Sequence, residues 1–293
     1  MQFYTTIQDF AGIYGEQPFM QALRANDNVR WMDCTQISGT DCYCDDDAQA
    51  ELRKFMTEVC DNAGNTGNQP GVHFFDNGNY HYNSKLWTDY VQEPFDLVIF
   101  DHHPDMQPPR FEGILSCGGW VKEVLDHNPN VRNVVIIGVA DHLVEEIKNE
   151  PSTEFEKYAD RVVFVTESGQ VLGSPRCDAP RDDIDNDLSL REGSADEAIH
   201  TLSTLHSESV YISIDKDALA LSEVVTNWDQ GSLTFTQLEE ILRELFANHK
   251  ILGVDVCGER ATNQDYADGM DEGSADVLNN AFNEKLFNLL RSL

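Results

Sequence analysis

The chain has 293 residues, of which 41% are hydrophobic, and 52 acidic against 20 basic residues give it a formal net charge of −32. This hydrophobic content supports a large buried core and excludes general disorder, while the negative charge argues against nucleic acid and anionic membranes and favours small cations as partners. No segment approaches the ~20 apolar residues that cross a bilayer, and the amino terminus lacks a signal-peptide pattern. The seven irregularly spaced cysteines indicate a reduced protein, so we expect a cytoplasmic location.

Apolar runs rich in β-branched and aromatic residues recur along the chain, and most are too continuous for half-exposed strands. They predict about eight mostly parallel strands, near residues 3–7, 29–33, 72–75, 96–100, 133–139, 161–166, 209–214 and 251–257. Helical patterns lie between several of them, over residues 47–60, 119–126, 194–206 and 236–248, and a closing helix is expected over 275–293. The alternation predicts an α/β fold with three layers, α/β/α, in a single domain over residues 1–293.

Two of the helices begin with the sequence pattern of a capping box. Ser194 is followed three residues later by Glu197, and Thr236 by Glu239. In this motif the first side chain and the fourth satisfy free backbone amides reciprocally. We therefore expect one helix to start at Ser194 and the other at Thr236.

A polar cluster follows the apolar run at 95–100, where a buried strand is expected to end. It reads Asp-His-His-Pro-Asp over residues 101–105. Because alternate side chains of a strand share a face, Asp101, His103 and Asp105 can converge at the carboxyl end of the strand, where open parallel sheets bind ligands. Taken alone, the triplet is also compatible with a capped turn that carries a surface histidine.

A second polar cluster follows the predicted strand at 209–214. Asp215 and Asp217 have the same alternate spacing, and two carboxylates at a buried strand end repel each other unless a cation or a proton compensates them. A tight loop after the strand at 72–75 supplies a further imidazole, that of His81. Two histidines and four aspartates form an oxygen-rich ligand set that suits two Mn²⁺ ions better than a structural zinc.

These motifs resemble those of the ureohydrolase family, which includes arginase and agmatinase. Gly78 to His81 is similar to the Gly-Gly-Asp-His-type loop of the family, residues 101–105 to its Asp-x-His-x-Asp triplet, and Ser213 to Asp217 to its Ser-x-Asp-x-Asp strand end. The segment at 231–234 is also similar. The resemblance runs from about residue 70 to about residue 260 and implies an arginase-like fold.

The resemblance implies two manganese ions per chain. One would be held by His81, Asp101, Asp105 and Asp215, and the other by His103, Asp101, Asp215 and Asp217. It also implies hydrolysis of a linear C–N bond, in which a hydroxide that bridges the metals attacks a guanidino or amidino carbon and releases urea from guanidines. Asp105 would be the catalytic residue that orients the hydroxide and passes its proton to the leaving amine. The implied partners are a small cationic guanidino or amidino substrate and further copies of the chain, in a trimer or hexamer.

The sequence departs from the family pattern where the substrate is bound. The His-Gly turn of the family falls near Cys117, with no histidine, and the Asp-Pro step after the second aspartate pair is absent. At the carboxylate that usually grips the guanidinium group, the direct match is Gly258, and Glu259 follows one residue later. We expect Glu259 to bind the cationic end of the substrate.

Two alternatives to a ureohydrolase-like enzyme remain open. The first is a catalytically weak protein that keeps the metal site for folding or for ligand binding, since the loops that would contact the substrate are altered. The second is a metal-dependent deacylase of a related fold, which requires paired histidines as general bases. The adjacent histidines in the sequence are His102 and His103.

Overall fold

The computed structural model describes residues 3–62, 70–108, 111, 113–150, 153–173, 194–205, 207–266 and 270–293. Over these residues the strands are β1 (Tyr4–Asp9), β2 (Val29–Asp33), β3 (Tyr43–Cys44), β4 (Gly71–Phe74), β5 (Phe95–Phe100), β6 (Leu115–Ser116), β7 (Val131–Val139), β8 (Val162–Thr166), β9 (Val171–Gly173), β10 (Ser209–Asp215) and β11 (Lys250–Cys257). The α-helices are α1 (Pro18–Arg24), α2 (Asp46–Asn62), α3 (Asn83–Thr88), α4 (Trp120–His127), α5 (Asp141–Asn149), α6 (Ser194–Ser203), α7 (Phe235–Asn248) and α8 (Glu272–Ser292).

Nine of the strands form one sheet in the order β2-β1-β4-β11-β10-β5-β7-β8-β9. All neighbouring pairs are parallel except the last, in which β9 runs antiparallel to β8. The remaining two strands, β3 and β6, pair antiparallel in a small separate sheet. The carboxyl ends of β4, β11, β10 and β5 therefore lie side by side at the centre of one edge.

Helices cover both faces of the large sheet, and alternate strand residues point into one core or the other. In β5, Val98 and Phe100 join the core under α1, α6, α7 and α8, whereas Leu97 and Ile99 join the core under α2, α3, α4 and α5. This alternation follows from the period of two in a strand, and it explains why both sets of positions are apolar. Two buried faces account for the continuous apolar runs in the sequence.

The predicted fold class, a three-layer α/β/α fold with a mostly parallel sheet, is confirmed. Each of the eight predicted strands corresponds to a parallel strand of the large sheet. The sequence analysis missed the short strands β3, β6 and β9 and the short helices α1, α3 and α5. None of the helices in the described parts of the chain is long and apolar enough to span a bilayer.

The start of α7 differs from its prediction. The capping box is formed by Thr234 and Gln237, so that Thr236 lies inside the first turn and the predicted pair of Thr236 and Glu239 is wrong. The Thr234 hydroxyl accepts from the amide of Gln237, and the Gln237 side chain accepts from the amide of Thr234. For α6 the predicted start at Ser194 agrees with the structure, but its cap lies outside the described residues.

Candidate metal centre

Four neighbouring strands bring polar side chains to one place at the carboxyl edge of the sheet. Strand β4 leads into the loop of His81, β5 into residues 101–105, β10 ends at Asp215, and β11 ends at Cys257. Because β10 lies between β5 and β11, the residues that follow these strands are neighbours even though they are far apart in the sequence. The order of the strands in the sheet therefore brings the residues of the site together.

The imidazole of His81 is buried, and a hydrogen bond at Nε2 fixes its orientation. Its Nε2 lies 2.9 Å from the hydroxyl of Ser213, which in turn lies 2.7 Å from the hydroxyl of Ser84. When Nε2–H donates to Ser213, the lone pair of Nδ1 points toward the carboxylates of the site. Nδ1 lies 3.1 Å from Asp101 Oδ2 and 3.1 Å from Asp105 Oδ2. A hydrogen bond on the far nitrogen is the usual way in which proteins orient a metal-binding histidine.

The turn after β5 presents its first, third and fifth residues to the site. The amide of His103 donates to Asp101 Oδ1 at 2.6 Å, and the ring of His103 places Nδ1 2.9 Å from Asp217 Oδ2. Asp105 adopts a φ of +46°, a left-handed conformation that is uncommon for residues with a side chain. Its Oδ2 accepts from the indole nitrogen of Trp120 at 2.7 Å, so the carboxylate is held in a fixed orientation.

His102 lies outside this group, in agreement with the alternation of side chains. Its Nδ1 is 3.2 Å from the carbonyl oxygen of Gly138, on the neighbouring strand β7. Its backbone amide donates to Asp217 Oδ1 at 3.0 Å and so helps to position that carboxylate. His102 and His103 therefore do not form a pair of facing bases.

The carboxylates at the end of β10 are fixed by backbone amides. Asp215 Oδ1 accepts from the amide of Asp217 at 3.0 Å, and Asp215 Oδ2 lies 3.5 Å from His81 Nδ1. All the aspartates that the sequence singled out are thus at the site. Asp101 faces both histidines, since its Oδ1 is 3.5 Å from the Nδ1 of His103.

Three overlapping groups of possible metal ligands lie here, within each of which the ligand atoms are less than 4.8 Å apart. They are His81 with Asp101 and Asp105, Asp101 with His103 and Asp217, and His81 with Asp215 and Cys257. Asp101 belongs to two of the groups, as expected of a bridging ligand. Asp215, the other expected bridge, is grouped with His81 and not with His103.

Two buried atoms at this place have no hydrogen-bond partner, His81 Nδ1 and Asp101 Oδ2. Buried polar atoms are nearly always satisfied, so an unpaired nitrogen and an unpaired oxygen that face each other need an explanation. A cation between them would supply one. The donor set, which consists of imidazole and carboxylate groups, fits a divalent cation such as Mn²⁺.

The electrostatics of the site also indicate that positive charge is required. Burial and the negative charge of the neighbouring carboxylates raise the pKa of Asp215 to about 7 and that of Asp217 to about 6. Burial lowers the pKa of His103, but Asp217 and Asp101 outweigh this effect and raise the pKa to about 12. The pKa of His81 is likewise raised well above its usual value against the effect of burial, because Asp101 and Asp105 lie beside it. A bound cation would offset the negative charge that these carboxylates share.

A cavity of about 120 Å³ opens over these residues. Asp101, His103, Asp105, Asp215 and Asp217 form its base, and its rim includes Gln107, Cys117, Leu143 and Trp228. Trp228 is 42% exposed and approaches the ring of His103 edge to face at 5.7 Å. The candidate ligands are therefore accessible from one side through a small opening.

A larger and more open recess of about 1230 Å³ lies at the opposite edge of the sheet. It is lined by residues at the amino ends of β5, β7, β10 and β11, among them Glu93 and Lys250. None of the ligand groups found in the described residues lies there. The candidate metal ligands lie at the smaller cavity.

The position of Glu259 contradicts its expected role in substrate binding. The side chain is fully buried and does not line the cavity. One oxygen contacts Lys216 and Asn283, while the other accepts from Gln17 and Asn279 at 2.8 and 2.9 Å. We correct the assignment: Glu259 neutralises the buried Lys216, and both its oxygens are occupied.

Gly258, the direct match, also cannot supply the expected carboxylate. It has a φ of +94°, and an added Cβ would lie 2.4 Å from Asp215 Oδ1 and 2.6 Å from the amide nitrogen of Lys216. A side chain at this position would therefore clash with the site. The backbone just after β11 lies too close to Asp215 to allow a side chain at this position.

Three residues of the site were not assigned a role from the sequence. Trp120 holds Asp105, Ser213 holds His81, and Cys257 donates to Asp215 Oδ2 at 3.2 Å. Ser213 stands within a recognised motif, and that was a usable signal. No local pattern pointed to Trp120 or Cys257, because both reach the site through tertiary contacts.

The site and the sheet together define a class of protein: a mostly parallel α/β protein with a candidate metal centre at the carboxyl edge of its sheet. No family model matches the sequence. A Thermotoga maritima protein, described as an uncharacterized protein, is 24% identical over 253 residues, which cover 86% of this chain and 78% of that protein. This similarity extends over most of both chains.

Solved structures identify the fold. A putative agmatinase from Clostridium difficile superposes with a TM-score of 0.61 at 13% identity, covering 98% of this chain and 97% of the other. Formimidoylglutamase from Bacillus subtilis superposes with a TM-score of 0.59 at 12% identity, covering 96% of this chain and 86% of the other. The chain has the fold of the ureohydrolases, as its motifs predicted.

Proposed function

We propose that this protein is a metal-dependent hydrolase of linear C–N bonds that acts on a small guanidino or amidino compound. The observation that carries the proposal is the convergence of the six predicted ligands in the centre of a ureohydrolase-type sheet. They are His81, Asp101, His103, Asp105, Asp215 and Asp217. The solved proteins of this fold include enzymes that are named agmatinase and formimidoylglutamase.

We propose Mn²⁺ as the cofactor, with two ions per chain. The set of four carboxylates and two imidazoles is rich in hard oxygen donors, which suit this ion. His81, Asp101, Asp105 and Asp215 would hold one ion, and His103, Asp217 and Asp101, with Asp215, the other. When bound, two cations lower the pKa of a shared water and polarise the bond to be broken.

Asp105 is the residue that we assign to proton transfer. Its carboxylate lies at the base of the cavity, and the bond from Trp120 Nε1 fixes its orientation. Hydrolysis joins the water oxygen to the substrate carbon, breaks the C–N bond and requires a proton on the leaving nitrogen. Asp105 would accept a proton from the water and return it to that nitrogen, so that a guanidine gives urea and an amine.

The test is hydrolysis by the Mn²⁺-loaded protein of arginine, agmatine, guanidinobutyrate and formimidoylglutamate, with release of urea, ammonia or formamide measured. We expect turnover of at least one guanidino or amidino compound. Asp105→Asn should lower kcat by roughly 10²–10⁴-fold, the usual contribution of a positioned acid or base. Asp229→Asn, which alters an exposed carboxylate beside Trp228, is the matched control and should leave kcat unchanged. If the loaded protein turned over none of these compounds, the enzymatic proposal would fail.

A second candidate function is favoured by a specific observation, the loss of the carboxylate that grips the guanidinium group. A side chain at Gly258 would clash with the site, and Glu259 is paired with Lys216. A protein that binds a metal or a ligand without turnover would tolerate this loss. Two tightly bound metals with no hydrolysis of any of the four compounds would favour it. The deacylase alternative has less support, because His102 turns toward Gly138.

Three further expectations remain proposals. They are a single domain over residues 1–293, assembly into a trimer or hexamer, and a cytoplasmic location. The assembly rests on the resemblance to ureohydrolases, and the location rests on the cysteine content.

A further inference from the structure

Cys257 is the side chain that reaches the candidate metal centre from β11. It is fully buried, and in the parallel pair of β10 and β11 it stands directly beside Asp215. Side chains at paired positions of neighbouring strands point to the same face, so the thiol and the carboxylate face the site together. Gly258 follows with no side chain, and Glu259 is turned to Lys216.

The distances place the thiol where one cation can contact it together with two other ligands. Cys257 Sγ is 3.2 Å from Asp215 Oδ2, which is 3.5 Å from His81 Nδ1. Ligand atoms of the three residues all lie within 4.8 Å of one another. Around a tetrahedral cation with a bond of about 2.3 Å to sulfur and about 2.0 Å to nitrogen, two ligand atoms are roughly 3.5 Å apart. The three side chains therefore need only small movements to bind one ion together.

A second observation points to a ligand at this place. His81 Nδ1, in a side chain that is 1% exposed, has no hydrogen-bond partner, although Nε2 of the same ring is bound to Ser213. Asp101 Oδ2, 3.1 Å away, also lacks a partner. Of these two atoms, His81 Nδ1 belongs to the same ligand group as the thiol.

We propose that Cys257 is a ligand of the metal on the His81 side, and that this position binds a thiophilic divalent cation, Zn²⁺ or Co²⁺, in preference to Mn²⁺. Thiolate ligands select such ions, whereas Mn²⁺ prefers oxygen. The S–H bond breaks on coordination, sulfur keeps the electron pair, and the proton leaves through Asp215 Oδ2 to water. The position on the His103 side retains its ligands of imidazole and carboxylate. The inference rests on the metal centre of the proposed function and replaces Mn²⁺ at one of its two positions.

The test uses the full chain, made metal-free by chelation and then loaded with Co²⁺, whose absorption spectrum reports the ligands. Wild-type protein should show an intense near-ultraviolet band of sulfur-to-cobalt charge transfer together with the visible bands of bound cobalt. Cys257→Ser should lose the near-ultraviolet band, keep the visible bands, and bind Zn²⁺ at least about tenfold more weakly with little change for Mn²⁺. Cys117→Ser is the matched control, since Cys117 lines the cavity but belongs to none of the ligand groups, and it should keep the band.

X-ray absorption of the Zn²⁺-loaded protein supplies a second readout that does not depend on activity. A sulfur neighbour at about 2.3 Å should appear in the wild type and disappear in Cys257→Ser. Bound cobalt without a sulfur band, or a band that only Cys117→Ser removes, would overturn the role of Cys257 and leave the metal centre intact. Failure of the wild type to bind any of these ions would overturn the metal centre itself, and the inference with it.

Discussion

Lys216 and Glu259 form a fully buried ion pair next to the candidate metal centre. Burial by itself raises the pKa of Glu259, but the charge of Lys216 and hydrogen bonds from Asn283 and Asn279 outweigh it and lower this pKa. Lys216 also donates to Asn283 Oδ1 at 3.1 Å. Since Asn279 and Asn283 belong to α8, the pair connects the site strands to the last helix. The alternation that turns Lys216 away from the candidate metal ligands creates this second buried charge site.

Replacement of Glu259 by glutamine should destabilise the fold. Each oxygen of Glu259 accepts from two donors, so an amide nitrogen in place of one oxygen would face donors and leave Lys216 charged and poorly paired. We expect the free energy of unfolding in a urea titration to fall by about 3–5 kcal/mol, the usual cost of a broken buried pair. A folded Glu259→Gln variant of unchanged stability with a raised KM would restore the substrate-binding role.

The same chain offers a matched control for this prediction. Glu93 and Lys250 form another Glu–Lys pair, at 2.7 Å, whose side chains are 41% and 46% exposed. Exposed pairs contribute about 0–1 kcal/mol, so Glu93→Gln should change the free energy of unfolding by no more than this amount. Comparable losses in both variants would show that burial is not the cause.

At the level of whole elements, the start of α7 shows that backbone conformation determines which of two possible residues caps a helix. Thr234 and Thr236 both precede a residue that can complete a capping box, but only Thr234 has the extended backbone of an N-cap, with a φ of −90° and a ψ of 158°. Thr236 lies in the first turn, where its side chain is exposed. The sequence identified the helix correctly and misplaced its first turn.

This assignment predicts different effects for two similar substitutions. Thr234→Ala removes the hydroxyl that accepts from the amide of Gln237 and should lower the free energy of unfolding by about 1 kcal/mol. Thr236→Ala should change it by less than about 0.5 kcal/mol, as is usual for an exposed position without a structural role. Chemical unfolding of the two variants measures both values. A larger loss of unfolding free energy in Thr236→Ala than in Thr234→Ala would show that Thr236 is the N-cap, as the sequence predicted.

Long elements with a strong apolar pattern were predictable from the sequence, and short ones were not. Most of the eight parallel strands owe their continuous apolar runs to burial on both faces, and that signal is independent of the rest of the fold. The edge strand β2 is the exception, since none of its residues is fully buried. β3 and β6 have two residues each and β9 has three, which is too few for a period to appear. The helix α3 has six residues and packs against α2 and α4.

In the whole molecule, the order of the strands determines which residues meet. The candidate ligands could be proposed from the sequence because each follows a recognisable strand and the three motifs occur in the order of a known family. Cys257 could not be found in this way, because its neighbour Asp215 is set by the pairing of β10 with β11. The role expected for Glu259 failed for a related reason: its partners Gln17 and Asn283 come from opposite ends of the chain.

The four carboxylates of the site are buried and lie close together, in a chain whose formal net charge is −32. Salt screens the interactions between exposed carboxylates beyond about 10 Å, whereas it screens those between buried carboxylates much less. Bound cations should therefore stabilise the folded chain in addition to any role in hydrolysis, because they bind the folded state and not the unfolded one.

The central claim is a centre for two cations that share Asp101, and the number of ions bound per chain tests it most directly. Metal-free protein would be dialysed against excess Mn²⁺ and its metal content determined by elemental analysis. We predict two ions per chain for the wild type and for the control Asp229→Asn. Asp101→Asn should lose metal at both positions, since Asp101 shares one ligand group with His81 and another with His103. A wild-type chain that bound no Mn²⁺, or an Asp101→Asn variant that kept two ions, would contradict the account.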